Sequence, residues 1–121
     1  ALNNSGHYVE AAQRFLEAKE RLPVGTKDWA KAIAQAFNVL TQEACSEVAK
    51  PEGWNDEGLK ALSARVVRAA PDDMQAHQMR AAVLCGRSNG AWEAGPRLAA
   101  ELMEAAAHWE RSAALCDAPA V

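Results

Sequence analysis

Small and apolar residues recur at steps of three and four along most of this chain, which is the spacing of one face of an α-helix. The first such segment spans residues 6–23 and reads GHYVEAAQRFLEAKERLP. Its face consists of Tyr8, Ala11, Phe15, Ala18 and Leu22. Gly6 suits the turn before a helix, and Pro23 cannot continue one. This pattern predicts an amphipathic helix that ends just before Pro23.

A second stripe follows directly and predicts a partner for the first helix. It consists of Trp29, Ile33, Phe37, Leu40 and Ala44. Thr26 is suited to cap the start of this helix, and Asp28 suits its first turn. The Trp29 stripe is expected to pack against the Phe15 stripe, with small residues allowing a close approach of the two helices.

The whole chain is predicted to be all-α. Alanine is its commonest residue and has the highest helix propensity, whereas β-branched residues are few and never alternate with polar ones. Asp72, followed by Gln75, predicts the start of a later helix as a capping box. The patterns together predict five helices, packed antiparallel in sequence, near 8–22, 27–49, 56–70, 73–86 and 97–116.

The first helix resembles the second half of a tetratricopeptide (TPR) repeat. That motif has a Gly-x-Tyr entry, an A-x3-F core and a terminal proline, matched here by Gly6, Tyr8, Ala11, Phe15, Ala18 and Pro23. The same core pattern returns as Ala105 and Trp109. The resemblance implies helical hairpins stacked as an α-solenoid. The alternative is an ordinary amphipathic helix with an alanine-rich face.

Prolines at positions 23, 71 and 119 suggest how the repeats divide the chain. We predict one TPR-like domain over 1–121, made of a half repeat (1–23) and two repeats (24–71 and 72–119). These repeats are longer than the usual ~34 residues, and the segment 59–70 lacks the A-x3-F core. The chain would then be a fragment of a longer array, whose uncapped terminal helices can self-associate.

Charge and cysteine content exclude several classes of protein. The formal net charge is −3 and no basic stripe is present, so nucleic-acid binding is not expected. No apolar run reaches ~18 residues, so no membrane span is predicted. Three widely separated cysteines argue against a disulfide framework. They favour a reducing, intracellular compartment such as the cytoplasm, with an organelle left open.

The sequence predicts no catalytic residue, no metal and no cofactor. Its histidines, His7, His77 and His108, are scattered and give pairs at most, whereas a metal site needs three or four ligands. The chain has no glycine-rich phosphate loop, G-x-S-x-G turn or H-E-x-x-H helix. It is therefore not expected to be an enzyme.

Binding is the expected function, because the TPR resemblance implies a concave surface lined by the opening helices. The predicted partner-binding residues are Lys27, Lys31, Asn38, Gln75, Gln78 and Met79, together with Trp54 and Trp92. The two lysines resemble part of a peptide-carboxylate clamp, or are ordinary solvated charges. The two tryptophans are either interface anchors or lids on the core.

Two functions from different classes follow from this interpretation. The first is a non-catalytic protein–protein interaction module that binds a peptide or partner protein on its concave face. The alternative is a structural or linker subunit that is packed permanently within a larger assembly.

Overall fold

The computed structural model describes residues 4–42, 50–51, 54–88 and 90–117. These residues form α1 (Asn4–Arg21), α2 (Lys27–Leu40), α3 (Asp56–Ala69), α4 (Met74–Cys85) and α5 (Ala99–Asp117). No strand occurs within these ranges, so the predicted all-α class is confirmed.

Side-chain caps fix where three of the helices begin. Thr26, Asn55 and Asp73 each accept a hydrogen bond from the backbone amide three residues later, at 3.3, 2.8 and 3.0 Å respectively. Such caps satisfy amides that have no partner inside the helix. The Thr26 cap was predicted correctly. The capping-box prediction for Asp72 was wrong by one residue, because Asp73 makes the cap of α4.

The helix ends show where local signals were misread. The second helix was predicted to reach residue 49, but α2 ends at Leu40. At the end of α2, the Phe37 carbonyl accepts from both the Thr41 hydroxyl at 2.9 Å and the Thr41 backbone amide at 3.0 Å. Residues 43–49 of the predicted helix lie outside the described residues. Helix α4 ends at Gly86, whose φ of 75° is the left-handed conformation that glycine adopts readily.

The core lies where α2, α3 and α4 meet. Helix α1 packs on α2, α2 on both α3 and α4, α3 on α4, and α4 on α5. Phe37 is fully buried, with its ring centroid 5.4 Å from that of Trp54 and 5.8 Å from that of Trp92. Other fully buried side chains are Leu59, Val66, Met79 and Val83. Burying each of these stabilises the fold by about 1.5–3 kcal/mol.

The predicted face of α1 contacts the rest of the fold only in part: Leu22, which directly follows the helix, packs against the core. Ala12 is buried, whereas Phe15 is half-buried and lines an open groove of about 570 Å³ with His7, Glu10 and Arg14. The predicted burial of the Phe15 ring in the helix interface is therefore wrong. The Tyr8 side chain lies outside the described part of the chain.

Candidate partner-binding groove

A groove of about 280 Å³ opens where α2, α4 and α5 come together. Its polar lining consists of Asn38, Thr41, Gln42, Gln78 and Arg87, and its apolar surface of Ala82 and Trp109. This volume is at the lower edge of the range for small-molecule sites. The groove is therefore better matched to a side chain or a short segment of peptide than to a metabolite.

One hydrogen bond between helices and one at the end of α4 hold the groove in shape. The side-chain amide of Asn38 donates to the backbone carbonyl of Gln75 at 3.2 Å, which ties α2 to the start of α4. At the other end of α4, the amide of Arg87 donates to the carbonyl of Ala82 at 2.9 Å. Together with the left-handed Gly86, that bond turns the chain and places Arg87 on the groove.

Several polar groups on the groove are available to a ligand. Neither the Gln78 amide nor the Arg87 guanidinium forms a hydrogen bond or ion pair with any described residue. Asn38 uses its amide nitrogen on Gln75, and its side-chain oxygen accepts no hydrogen bond from a described residue. Beside them, Trp109 is half-buried and packs against the core. The groove thus offers amide donors and acceptors, one cation and one anchored aromatic ring.

The structure brings some of the predicted binding residues together and separates others. Asn38 and Gln78 both line the groove. Gln75 contributes its backbone carbonyl, while its side-chain oxygen is buried without a described partner. Lys27 and Lys31 lie on the first turns of α2 and do not line the groove.

Met79 and the two tryptophans are part of the core instead. Met79 is completely buried, so no partner can reach it, and its predicted place in the binding surface is wrong. Trp92 is also buried, and Trp54 is half-buried against Phe37. For Trp92 and Trp54 the structure matches the alternative of lids on the core.

Trp92 belongs to a cluster centred on an ion pair, which we call the aspartate–arginine cluster: Asp56, Trp92 and Arg97. Arg97 donates to the two carboxylate oxygens of Asp56 at 2.6 and 2.9 Å. The Trp92 indole donates to the same carboxylate at 3.0 Å. Arg97 also donates to the Val83 carbonyl at 2.9 Å, so the cluster joins α3, α4 and the 90–98 segment.

The charged groups of this cluster pair with each other and join parts of the fold, and we call such a permanent pairing a structural lock. Hydrogen bonds from Arg97 hold the pKa of Asp56 far below its usual 3.8, although burial alone would raise it. Nearby, the Lys60 ammonium lies 2.8 Å from Glu101 and 3.6 Å from Asp56. A backbone hydrogen bond from Leu98, followed by the bond from Lys60, lowers the pKa of Glu101. These charges satisfy each other, which leaves little for a ligand.

Sequence reasoning missed Arg87 and assigned Trp109 only to a repeat core. The available signal for Arg87 was its position directly after Gly86, because a glycine that ends a helix turns the chain and directs the next residue away from the helix axis. Sequence reasoning also treated His77 and His108 as scattered. They meet across α4 and α5, 31 positions apart in sequence, and no local pattern indicates that contact.

Other kinds of site find no support in the described ranges. No group of three histidine, cysteine, aspartate or glutamate side chains there is placed to hold a metal ion. None of the helices described combines the length and the apolar character needed to cross a bilayer. Cys85 and Cys116 are free thiols, and Cys45 lies outside the described residues.

Comparison of the chain with protein-family models, with curated proteins and with solved structures found no match. The TPR resemblance therefore depends on the sequence motif alone.

Proposed function

We propose that this chain is a non-catalytic, TPR-like interaction module that binds a peptide segment of a partner protein in the groove between α2, α4 and α5. The observation that carries the proposal is the set of polar groups beside Trp109 that have no described partner: the Gln78 amide, the Arg87 guanidinium and the Asn38 side-chain oxygen. Contacts of α2 with both α3 and α4 support the repeat arrangement.

The chemistry of the groove fits a peptide. An extended backbone presents both amide donors and carbonyl acceptors, and the side-chain amides of Asn38 and Gln78 can bond to either kind. Arg87 can pair with a carboxylate through two parallel hydrogen bonds. Trp and Arg are enriched among the residues that contribute most to protein binding. We therefore expect a preferred peptide that carries an acidic side chain or a free C-terminal carboxylate.

The test uses a displayed library of random linear peptides, followed by affinity measurements on the selected sequences. Arg87→Ala should weaken binding by about tenfold or more, because it removes a charge-assisted hydrogen bond. Gln78→Ala should weaken it by a smaller factor. Arg21→Ala is the matched control, since Arg21 is exposed at the end of α1, away from the groove.

Equal affinities of the Arg87→Ala and Arg21→Ala variants would contradict the proposal, as would a selection that yields no binding peptide. Lys31→Ala separates this groove from the lysine clamp suggested by the resemblance. A loss with Lys31→Ala and none with Arg87→Ala would place the peptide at the start of α2 instead.

A specific observation favours the alternative, a structural subunit within a larger assembly. At the start of α5, Leu98 and Met103 are 70% and 74% exposed, and Leu102 is 47% exposed. Leu102 and Met103 share a helical face with the exposed Ala99 and Ala106. Large residues beside small ones allow two copies of α5 to pack closely. In this alternative, the partner that packs on α5 is a second copy of the chain.

Sedimentation across a range of concentrations tests this alternative. Combined Leu98→Glu and Met103→Glu substitutions should abolish concentration-dependent association. Val24→Glu is the matched control, because Val24 is 67% exposed elsewhere on the molecule. A wild-type chain that stays monomeric at every concentration would contradict self-association through α5.

A further inference from the structure

His77 on α4 and His108 on α5 meet through the same ring nitrogen, and we call them the histidine pair. The two Nδ1 atoms are 2.9 Å apart, the ring centroids are separated by 5.1 Å, and the ring planes are inclined by 30°. His77 is 6% exposed and the His108 side chain is 17% exposed. At 2.9 Å two nitrogens are at hydrogen-bond distance, which requires one of them to donate.

The outer nitrogen of each ring faces a group that only accepts. The Nε2 atom of His77 lies 2.7 Å from the Pro71 carbonyl oxygen, and that of His108 lies 3.1 Å from the Glu104 carboxylate. Burial raises the pKa of Glu104, but the hydrogen bond from His108 and the charge of Arg80 outweigh it, so the pKa is lowered. Glu104 is thus an ionised acceptor, and both rings carry their proton on Nε2.

With these assignments, neither Nδ1 atom carries a proton for the contact between the two rings. A neutral imidazole carries a single proton, so two neutral rings with protonated Nε2 atoms would bring two Nδ1 lone pairs together. A metal ion would need a third ligand, and the described residues provide none. A proton between the Nδ1 atoms converts the contact into a hydrogen bond.

We propose that His77 and His108 share one extra proton, and that this proton controls the docking of α5 on α4. With no shared proton, two lone pairs repel each other. With one, the chain of hydrogen bonds from Pro71 through both rings to Glu104 is complete. With two, a pair of N–H groups face each other and the contact breaks. The interface is therefore closed within a pH window and loosens on either side of it.

The charged groups around the pair fit a single positive charge. On α4 and α5 they are Arg80, Glu104 and Arg111; before α4 they are Asp72 and Asp73; on α3, Lys60 pairs with Glu101 on α5. Glu104 is the carboxylate in contact with an imidazole, and Arg80 donates to it at 3.2 Å. No charged side chain of α2 bonds to either ring in the described ranges.

The position of the pair links this control to the groove. Gln78 and Trp109 line the groove and directly follow His77 and His108 in sequence. Loss of the histidine contact would therefore shift two lining residues relative to each other. This consequence depends on the proposed peptide-binding function, whereas the proton-sharing proposal does not.

The first experiment observes the shared proton directly in the wild-type chain, by ¹⁵N NMR of the histidine rings across a pH series. Near neutral pH we expect both Nε2 atoms to be protonated and one proton to be bound between the two Nδ1 atoms. His7 is exposed and provides the internal control for an isolated ring. The proposal would be wrong if both Nδ1 atoms were unprotonated, or if the two rings titrated independently of each other.

The second experiment measures hydrogen exchange of the α5 amides against pH, corrected for the intrinsic exchange rate. Closed and open forms differ by one proton on each side of the window, so the opening constant should rise about tenfold per pH unit on both sides. On the alkaline side, the closed form holds one proton more than the open form. On the acid side, the open form holds one proton more than the closed form.

The variant for this experiment is His108→Phe, which keeps an aromatic ring at this position and removes its nitrogens. It should lose the two-sided pH dependence, and the control His7→Phe should keep it. If His108→Phe retained the same dependence, or if wild-type exchange were flat across the range, the proposal would be wrong. Since exchange is measured without any peptide, failure of the peptide-binding proposal leaves this result intact.

Discussion

The aspartate–arginine cluster and the histidine pair both join helices through buried polar groups, but they differ in how their charge is set. Asp56 and Arg97 are ionised across the whole physiological range, and the Asp56 carboxylate accepts hydrogen bonds from Arg97, Trp92 and the backbone amide of Gly95. In that cluster the Arg97 Nε atom is buried without a described partner. The histidine pair is complete only with an extra proton. One cluster is therefore a fixed lock, and the other depends on pH.

The comparison also shows what buried charge contributes. Removing one member of a buried ion pair leaves the other desolvated and unpaired, which costs more than the pair itself contributes. A histidine can lose or gain its charge instead, between about pH 5 and 8. A protein can therefore use the first arrangement to hold a loop and the second to regulate an interface.

The largest expected effect comes from breaking the fixed lock. Arg97→Met should lower the free energy of unfolding by about 3 kcal/mol, because it leaves the largely buried Asp56 carboxylate without its main partner. Denaturant unfolding at pH 7 measures this loss. The matched control is Arg111→Met, since Arg111 is half-exposed in its pair with Asp72 and should contribute at most about 1 kcal/mol. Similar losses in the two variants would show that the cluster is not a lock.

A smaller effect should distinguish the two clusters by the pH range in which each changes its contribution to the free energy of unfolding. The pKa of Asp56 is depressed in the folded protein, so its stabilisation is fully present above its usual value of 3.8 and is lost as the pH falls below it. The difference in unfolding free energy between wild type and Asp56→Asn should be constant above about pH 5 and should shrink in more acid solution.

His108→Phe gives the contrast in the same series of unfolding measurements. Its difference from wild type should change between about pH 5 and 8, where histidine side chains change charge. If the Asp56→Asn difference moved through that neutral range instead, the distinction between a fixed and a proton-dependent cluster would fail.

The smallest effect concerns Ser63, a buried residue of α3 that connects the surroundings of the two clusters. Arg80 donates to the Ser63 hydroxyl at 3.0 Å and to the Lys60 carbonyl at 2.7 Å, and it also bonds to Glu104 beside the histidine pair. Ser63→Ala should cost only about 1 kcal/mol, because Arg80 keeps its other acceptors. Thermal unfolding measures this cost, and a loss as large as that of Arg97→Met would show that Arg80 depends on Ser63.

The sequence determined the helices largely through local chemistry. The step-of-three-and-four stripes predicted the all-α class, and Thr26 and Pro23 marked the turn between the first two helices. These predictions are confirmed because caps and helix faces depend on residues within one or two turns of each other. Where local signals competed, the sequence misled: Asp73 rather than Asp72 caps α4, and α2 ends at Leu40.

The candidate site was predicted only in part. Asn38 and Gln78 were predicted for a binding surface, and the structure places both on one groove. Met79 was predicted there too, but it faces the core, since a helix face cannot be assigned until its neighbours on every side are known. TPR membership, repeat boundaries and the binding of a peptide or protein partner remain predictions from the sequence.

Tertiary structure alone decided which distant groups meet. Arg97 lies 41 positions from Asp56, and His108 lies 31 positions from His77. No periodicity relates residues so far apart, because their contact depends on how α3, α4 and α5 pack. The sequence determined which segments form helices, through local caps and helical spacing. Packing decided which polar groups became a permanent lock, which share a proton, and which were left open on the groove.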